Sequence, residues 1–167
     1  RGESGALGDF RAGHALDQAA LVLRRRGIES ALLNHSGDIL AIGAPPGSAG
    51  WEIGIQDPED PRGTVTSFML KDRSVSTSGN YENFIETDRG RIGHILDPAT
   101  GRSSSLFLSV SVMADSSLAA DALSTGFFAG GVRLSAPAPS AAGRISVFSV
   151  RADGGRTVTD YTGDIRG

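Results

Sequence analysis

The stretch Ser117-Leu118-Ala119-Ala120-Asp121-Ala122-Leu123-Ser124-Thr125-Gly126-Phe127-Phe128-Ala129 decides how this chain is read. It follows a serine suited to capping and ends at Gly130-Gly131, which can close a helix. It therefore predicts a helix capped by Ser116 or Ser117. A second helix is predicted upstream, from Ala12 to Arg26, where Leu16, Ala19, Ala20 and Leu23 recur at helical spacing. Arg24, Arg25 and Arg26 meet the negative end of that helix, and Gly27 can stop it.

Around these two helices the pattern is extended. Ser30 to Leu33 and Ile39 to Ile42 are short β-prone runs separated by Asn34-His35-Ser36-Gly37-Asp38, which reads as a hairpin. Trp51-Glu52-Ile53-Gly54-Ile55 alternates as a half-buried strand, Asp57-Pro58-Glu59-Asp60-Pro61 is a turn, and Val65 to Leu70 resumes extended structure. A further strand ends near Thr77, and a turn follows around Asp88 to Gly90. His94-Ile95-Leu96 leads into the turn Asp97-Pro98-Ala99-Thr100-Gly101, and strands are expected at Leu106 to Met113, Ile145 to Val150 and Thr157 to Tyr161. Runs of adjacent strands between helices indicate an α+β domain whose sheet is mainly antiparallel and packed with helices.

The chain has 167 residues, 39% of them hydrophobic, which suits one domain with an ordinary core. The net charge of -3 and the dispersed lysines and arginines give no footprint for nucleic acid. There is no cysteine, which excludes disulfides, thiolate metal sites and cysteine nucleophiles. No apolar run reaches the roughly 20 residues of a membrane span. The first residues do not form a signal peptide. The chain opens on Arg1, with a loop-like RGESGALGD ahead of the first helix, and the expectation is a fragment, a processed product or a half completed by a partner. The 23 glycines are scattered rather than periodic, no internal repeat is present, and Ser135 to Gly143 reads as a low-complexity surface loop.

Several constellations could carry chemistry. Asp121 and Thr125 stand four apart on the second helix, so both can offer oxygen to one cation. A hard ion such as Mg²⁺ prefers one or two carboxylates and shares its remaining positions with phosphates and water. The alternative is a solvated Asp121 with Thr125 bonding back to the carbonyl of residue 121. His94 precedes an Asp-Pro turn where a side chain can face a cleft, although a lone His is more often structural. Thr77-Ser78-Gly79-Asn80 offers hydroxyls and amides at a strand end, a geometry that suits phosphate or a plain turn. Leu7 to Gly13 runs into a helix N-terminus, where amides can meet an anion, and it lacks the ending of a Walker motif. Capping by Asp9 explains that segment equally well. The three histidines have no HExxH spacing, and no Gly-x-Ser-x-Gly elbow is present, so zinc and hydrolase readings find little support.

Taken in order, LGDFRAGHALD (7–17), LLNHSGDILAIG (32–43), WEIGIQDP (51–58), VSTSGNYENF (75–84), HILDPATGR (94–102) and ADALSTGFF (120–128) resemble the ApbE family of magnesium-dependent flavin transferases. The resemblance runs from about Ala6 to Gly131 and implies a T-fold-like α+β architecture. The chain would be the C-terminal portion of the family's domain, with the N-terminal part that contacts the flavin ring and adenine absent from it. The implied reaction transfers FMN from FAD to a Ser or Thr of a target flavoprotein, with release of AMP and with FAD and Mg²⁺ as substrate and cofactor. The resemblance assigns the metal to Asp121 and Thr125, with Ser124 nearby and a backbone oxygen at Asp9. It assigns His94 to base or flavin-positioning work, with Ile95 and Leu96 against FAD and Asp9, Thr77 and Ser78 also on the cofactor. It implies an exported, periplasmic or cell-envelope location.

Ala6 and Ala12 stand where the family usually carries an acidic residue and a Lys. The turn NHSGD replaces the usual Gly-Gly-Asp form, and Asn80 sits where other members carry Asp. These departures keep a second reading open, an FAD-binding relative without transfer activity that acts as a binding or maturation factor for a respiratory enzyme. Asp97 to Ser103 also matches the acceptor pattern of flavinylated targets. Because it coincides with the family's own HILDPATGR element, Thr100 is expected in a structural turn.

Overall fold

A computed structural model describes residues 10–80, 84–88, 90–130, 144–154 and 156–163. The first helix, α1 (Phe10–Arg25), is followed by a hairpin of β1 (Ala31–His35) and β2 (Asp38–Ile42). The strands meet through a two-residue turn at Ser36 and Gly37, both at positive φ (52° and 93°), the geometry that matches the twist of a tight hairpin. A second hairpin pairs β3 (Trp51–Gln56) with β4 (Thr64–Leu70), and a small third one pairs β6 (Phe84–Thr87) with β7 (Gly90–Gly93). The remaining elements are β5 (Ser74–Gly79), β8 (Ser109–Ala114), α2 (Ser117–Gly130), β9 (Ser146–Asp153) and β10 (Arg156–Thr162).

The main sheet runs β1-β2-β5-β8-β9-β10, antiparallel at every junction, as the α+β reading expects. Strand alternation divides its side chains between two layers. Leu40 and Ile42 of β2 pack under Leu16 and Ala20 of α1, while Val110, Val112 and Val147 pack under Phe128 of α2. On the opposite face Ala41, Val75 and Met113 meet Ile53, Ile55 and Leu70 of the β3–β4 hairpin. The central strand β8 is buried along its whole length, because both faces are covered. Phe128 is fully enclosed, and burying such a ring contributes about 1.5–3 kcal/mol. Among the described residues no helix is long and apolar enough to cross a membrane.

Two expectations shift. The strand expected from Leu106 begins at Ser109: Leu106 is 59% exposed, and pairing starts only where the Leu108 amide donates to the Val150 carbonyl (2.7 Å). The helix cap offered as Ser116 or Ser117 resolves to Ser116, whose Oγ accepts the Ala119 amide (3.2 Å). The loop expected from Ser135 to Gly143 lies outside the described residues.

The helices hold one another by their ends. Asp17 on α1 accepts the amides of Ser117 (2.8 Å) and Leu118 (3.0 Å), so two donors that the first turn of α2 leaves without intrahelical partners are satisfied by a carboxylate. In return Asp121 on α2 accepts the amide of Gly13 in the first turn of α1 (3.0 Å). The exchange needs the backbones close, and Gly13 permits it: a Cβ there would stand 2.6 Å from the Ser117 carbonyl oxygen. Asp17→Ala is expected to cost about 1–2 kcal/mol of stability in a urea titration. Gly13→Ala should also destabilise the protein, although alanine is the better helix former by about 1 kcal/mol. A more stable Gly13→Ala protein would show that the helices do not cross this closely.

Candidate functional site

A cleft of about 290 Å³ opens where the N-terminal turn of α1, the β1–β2 turn, the end of β5 and the middle of α2 converge. Its wall includes Ala12, His35, Asp38, Ser78, His94 and Ile95, together with Asp121 and Thr125. The pair read from helical spacing therefore does face a cavity. Asp121 is only 5% exposed, held there by the Gly13 amide, so it is not the solvated helix residue of the alternative reading. Thr125 does not bond back to the carbonyl of residue 121. That carbonyl accepts Ser124 Oγ (2.9 Å), and Thr125 Oγ1 instead meets Ser78 Oγ (3.2 Å).

Ser124 is fully buried and sits behind the cleft wall, in contact with Ser78 Oγ (2.9 Å) and Ser76 Oγ (3.2 Å). Ser76 in turn donates to the Asp38 carboxylate. Strand period explains this gathering: Ser76 and Ser78 share the helix-facing side of β5, whereas Thr77 turns to the other face and bonds Ser111 Oγ (2.8 Å). Thr77 and Ser78 both border the cleft, from opposite sides of their strand. Ser76 and Asp38 were not singled out from the sequence. The two-residue rhythm of Ser74, Ser76 and Ser78 is the signal that marks such a polar strand face.

His94 is exposed at the cleft, and Ile95 is buried beside it. The Ile95 amide donates to Asn80 Oδ1 (3.3 Å), and its carbonyl accepts the Ser104 amide (3.0 Å). Asn80 Nδ2 also donates to the Ser104 carbonyl (2.9 Å) and to Ser103 Oγ (3.1 Å), so one amide side chain ties both arms of the 94–104 segment to the end of β5. Gly93 makes room for it, since a Cβ there would fall 1.9 Å from Asn80 Cγ. Leu96 pairs with Ser103 and is 47% exposed, outside the residues that line the cleft. Asp97 accepts the Ala99 amide (2.8 Å) and Thr100 Oγ1 (2.9 Å), the side-chain-closed turn expected for that segment. Asp9 and Ala6 lie outside the described residues.

The donor set at the cleft is oxygen alone at its inner end, one buried carboxylate with hydroxyls, which suits a hard cation that completes its shell with phosphate and water. Among the described residues no three of His, Asp and Glu gather as a metal cage. A smaller apolar recess of about 170 Å³, bounded by Ile39, Ile53, Ile55 and Val75, adjoins the cleft at Ser36 and Thr77.

Residues 6–138 match the model of the ApbE family. The chain is 38% identical over 120 residues to an FAD:protein FMN transferase of Rhodobacter capsulatus, covering 71% of this chain and 23% of that protein. It is 34% identical over 116 residues to the enzyme of that name in Escherichia coli K12, covering 68% and 33%. The ApbE protein of Thermotoga maritima has a similar crystal structure, with a TM-score of 0.76 at 31% identity, over 91% of this chain and 50% of that one. The chain thus spans half or less of the length of these relatives.

Asn80→Ala is expected to leave the core intact and to loosen the cleft wall. Amide exchange at Ile95 and Ser104 should accelerate by at least about tenfold, roughly the 1.4 kcal/mol contributed by a buried hydrogen bond. Unchanged protection at Ile95 would show that Asn80 does not hold this segment.

Proposed function

The chain belongs to the ApbE family, and from that premise we propose that it carries the cation and pyrophosphate site of an FAD:protein FMN transferase. The observation that carries the reading is the buried Asp121 carboxylate set beside Thr125 on a cleft at the N-terminal turn of α1. The relatives that match it bear the name of that activity. In this reading a Ser or Thr hydroxyl of a target flavoprotein attacks the FMN-side phosphorus of FAD. The new O–P bond forms as the pyrophosphate O–P bond breaks, and AMP leaves with the bonding pair.

Asp121 and Thr125 are the side chains that would hold Mg²⁺, with Ser124 supporting them from behind and a backbone oxygen near Asp9 as a further ligand. Bound there, Mg²⁺ supplies charge neutralisation for the pyrophosphate and the developing negative charge. His94, exposed at the cleft, would receive the proton of the attacking hydroxyl or orient the flavin. Ser78 and the backbone of Thr77 and Ile95 border the space in which the phosphates would lie. An exported or cell-envelope target belongs to the same proposal.

A second reading, an FAD binder that has lost transfer, is favoured by one observation. Ala12 lines the cleft with a methyl group where the resemblance expects a Lys, so a cation that could meet the pyrophosphate is missing. The two readings separate in one experiment on the full-length protein with FAD, Mg²⁺ and a target flavoprotein, followed by mass spectrometry. Transfer predicts covalent FMN on the target and a loss of at least about a hundredfold in rate for Asp121→Ala. FAD binding without any covalent product, in every target tried, favours the binding module.

A further inference from the structure

The hydroxyls behind the cleft carry a direction as well as a geometry. Ser76, Ser78, Ser124 and Thr125 each own one proton and can donate once. Two of those donations go to groups that only accept. Ser76 gives its proton to the Asp38 carboxylate, and Ser124 gives its proton to the Asp121 main-chain carbonyl (2.9 Å). The proton in the 2.9 Å contact between Ser78 and Ser124 must then come from Ser78. Ser78 has none left for Thr125, so Thr125 is the donor available for the 3.2 Å contact between them. The Ser76–Ser124 contact, also 3.2 Å, is left without one, and it is among the longer contacts of the set.

The geometry points to a one-way donor chain, Thr125 to Ser78 to Ser124 to the Asp121 carbonyl, that turns the Thr125 proton into the protein and presents only its lone pairs to the cleft. Ser78 and Ser124 are thereby positioning residues. They set the side chain of Thr125 as a pure acceptor, which selects a cation there and rejects direct hydrogen bonding to a phosphate oxygen. The opposite polarity, with Ser78 donating to Thr125, would aim the Thr125 proton into the cleft and select an anion. The chain is anchored at Asp121, so the residue that offers the carboxylate also sets, through its own carbonyl, the polarity of its neighbour. Burial supports the direction at its inner end, because Ser124 is fully enclosed and its proton stays with the Asp121 carbonyl. This inference rests on the cation reading of the cleft and assigns Ser78 a different part from direct contact with the cofactor.

Neutron diffraction on deuterated full-length protein reads the direction without any ligand. A deuteron on Thr125 Oγ1 pointing to Ser78 is expected, and a deuteron on Ser78 pointing to Thr125 overturns the proposal. Binding of Mn²⁺, followed by its paramagnetic resonance signal, gives the consequence. Ser78→Ala should weaken it by about tenfold, as loss of a partner behind a metal ligand does. Ser78→Thr, which restores the hydroxyl, should recover most of that loss. In a Thr125→Ala background Ser78→Ala should cost nothing further, and losses that simply add would overturn the proposal. Mn²⁺ binding that is unchanged by Asp121→Ala strikes instead at the cation reading itself, and the neutron result tells the two failures apart.

Discussion

The exchange of carboxylates between the two helices is the constraint on which the rest of the structure depends. Asp17 and Gly13 are one turn apart on α1, Asp121 and Ser117 one turn apart on α2, and each acid satisfies amides in the first turn of the other helix. A helix N-terminus carries partial positive charge and donors that nothing inside the helix can bond. Here that deficit is met across the crossing point. The arrangement fixes separation, rotation and register together, because neither carboxylate reaches its amides if the helices slide by a turn. It also explains why a buried acid is tolerated at Asp121: the carboxylate is compensated by an amide and the dipole behind it.

The same constraint delivers the cleft. With α2 locked against α1, the residues two turns beyond Ser117 come to lie over the end of β5, and the serines on the helix-facing side of that strand rise to meet Ser124 and Thr125. On the other flank Asn80 brings the 94–104 segment back to β5, so that His94 and Ile95 close the wall opposite the helices. Two sets of side-chain hydrogen bonds, one on each side of the end of β5, thus build a concave surface from segments as distant in sequence as residues 12 and 125.

Family membership and this geometry support each other on different ground. The match spans most of the chain but half or less of the relatives, so it locates a shared piece of architecture rather than a whole enzyme. Within that piece the oxygen donors have the chemistry that suits a hard cation sharing its shell with other ligands. Ala12 presents only a methyl group to this cleft.

Both helices, the alternation of β3, a turn within 34–38 and the turn at 97–101 were legible in the sequence, and the structure narrows the first to residues 36 and 37. Their signals are local: apolar spacing, capping residues and backbone conformations that few residues accept. The pairing of Asp121 with Thr125 was legible too, since helical period alone puts them on one face. What local pattern could not reach was the company they keep. Spacing within α2 allowed Thr125 to bond back to the carbonyl of residue 121, and it left Asp121 free to be solvated. Within α2 that carbonyl goes to Ser124, and tertiary packing gives the carboxylate to Gly13 and the Thr125 hydroxyl to Ser78. Asp38, Ser76 and Asp17 escaped the sequence reading for the same reason, as did the partners of Asn80, which the sequence marks only as a polar group at a strand end. Each acts on a residue at least 15 positions away, and only the folded chain brings donor and acceptor within hydrogen-bond distance.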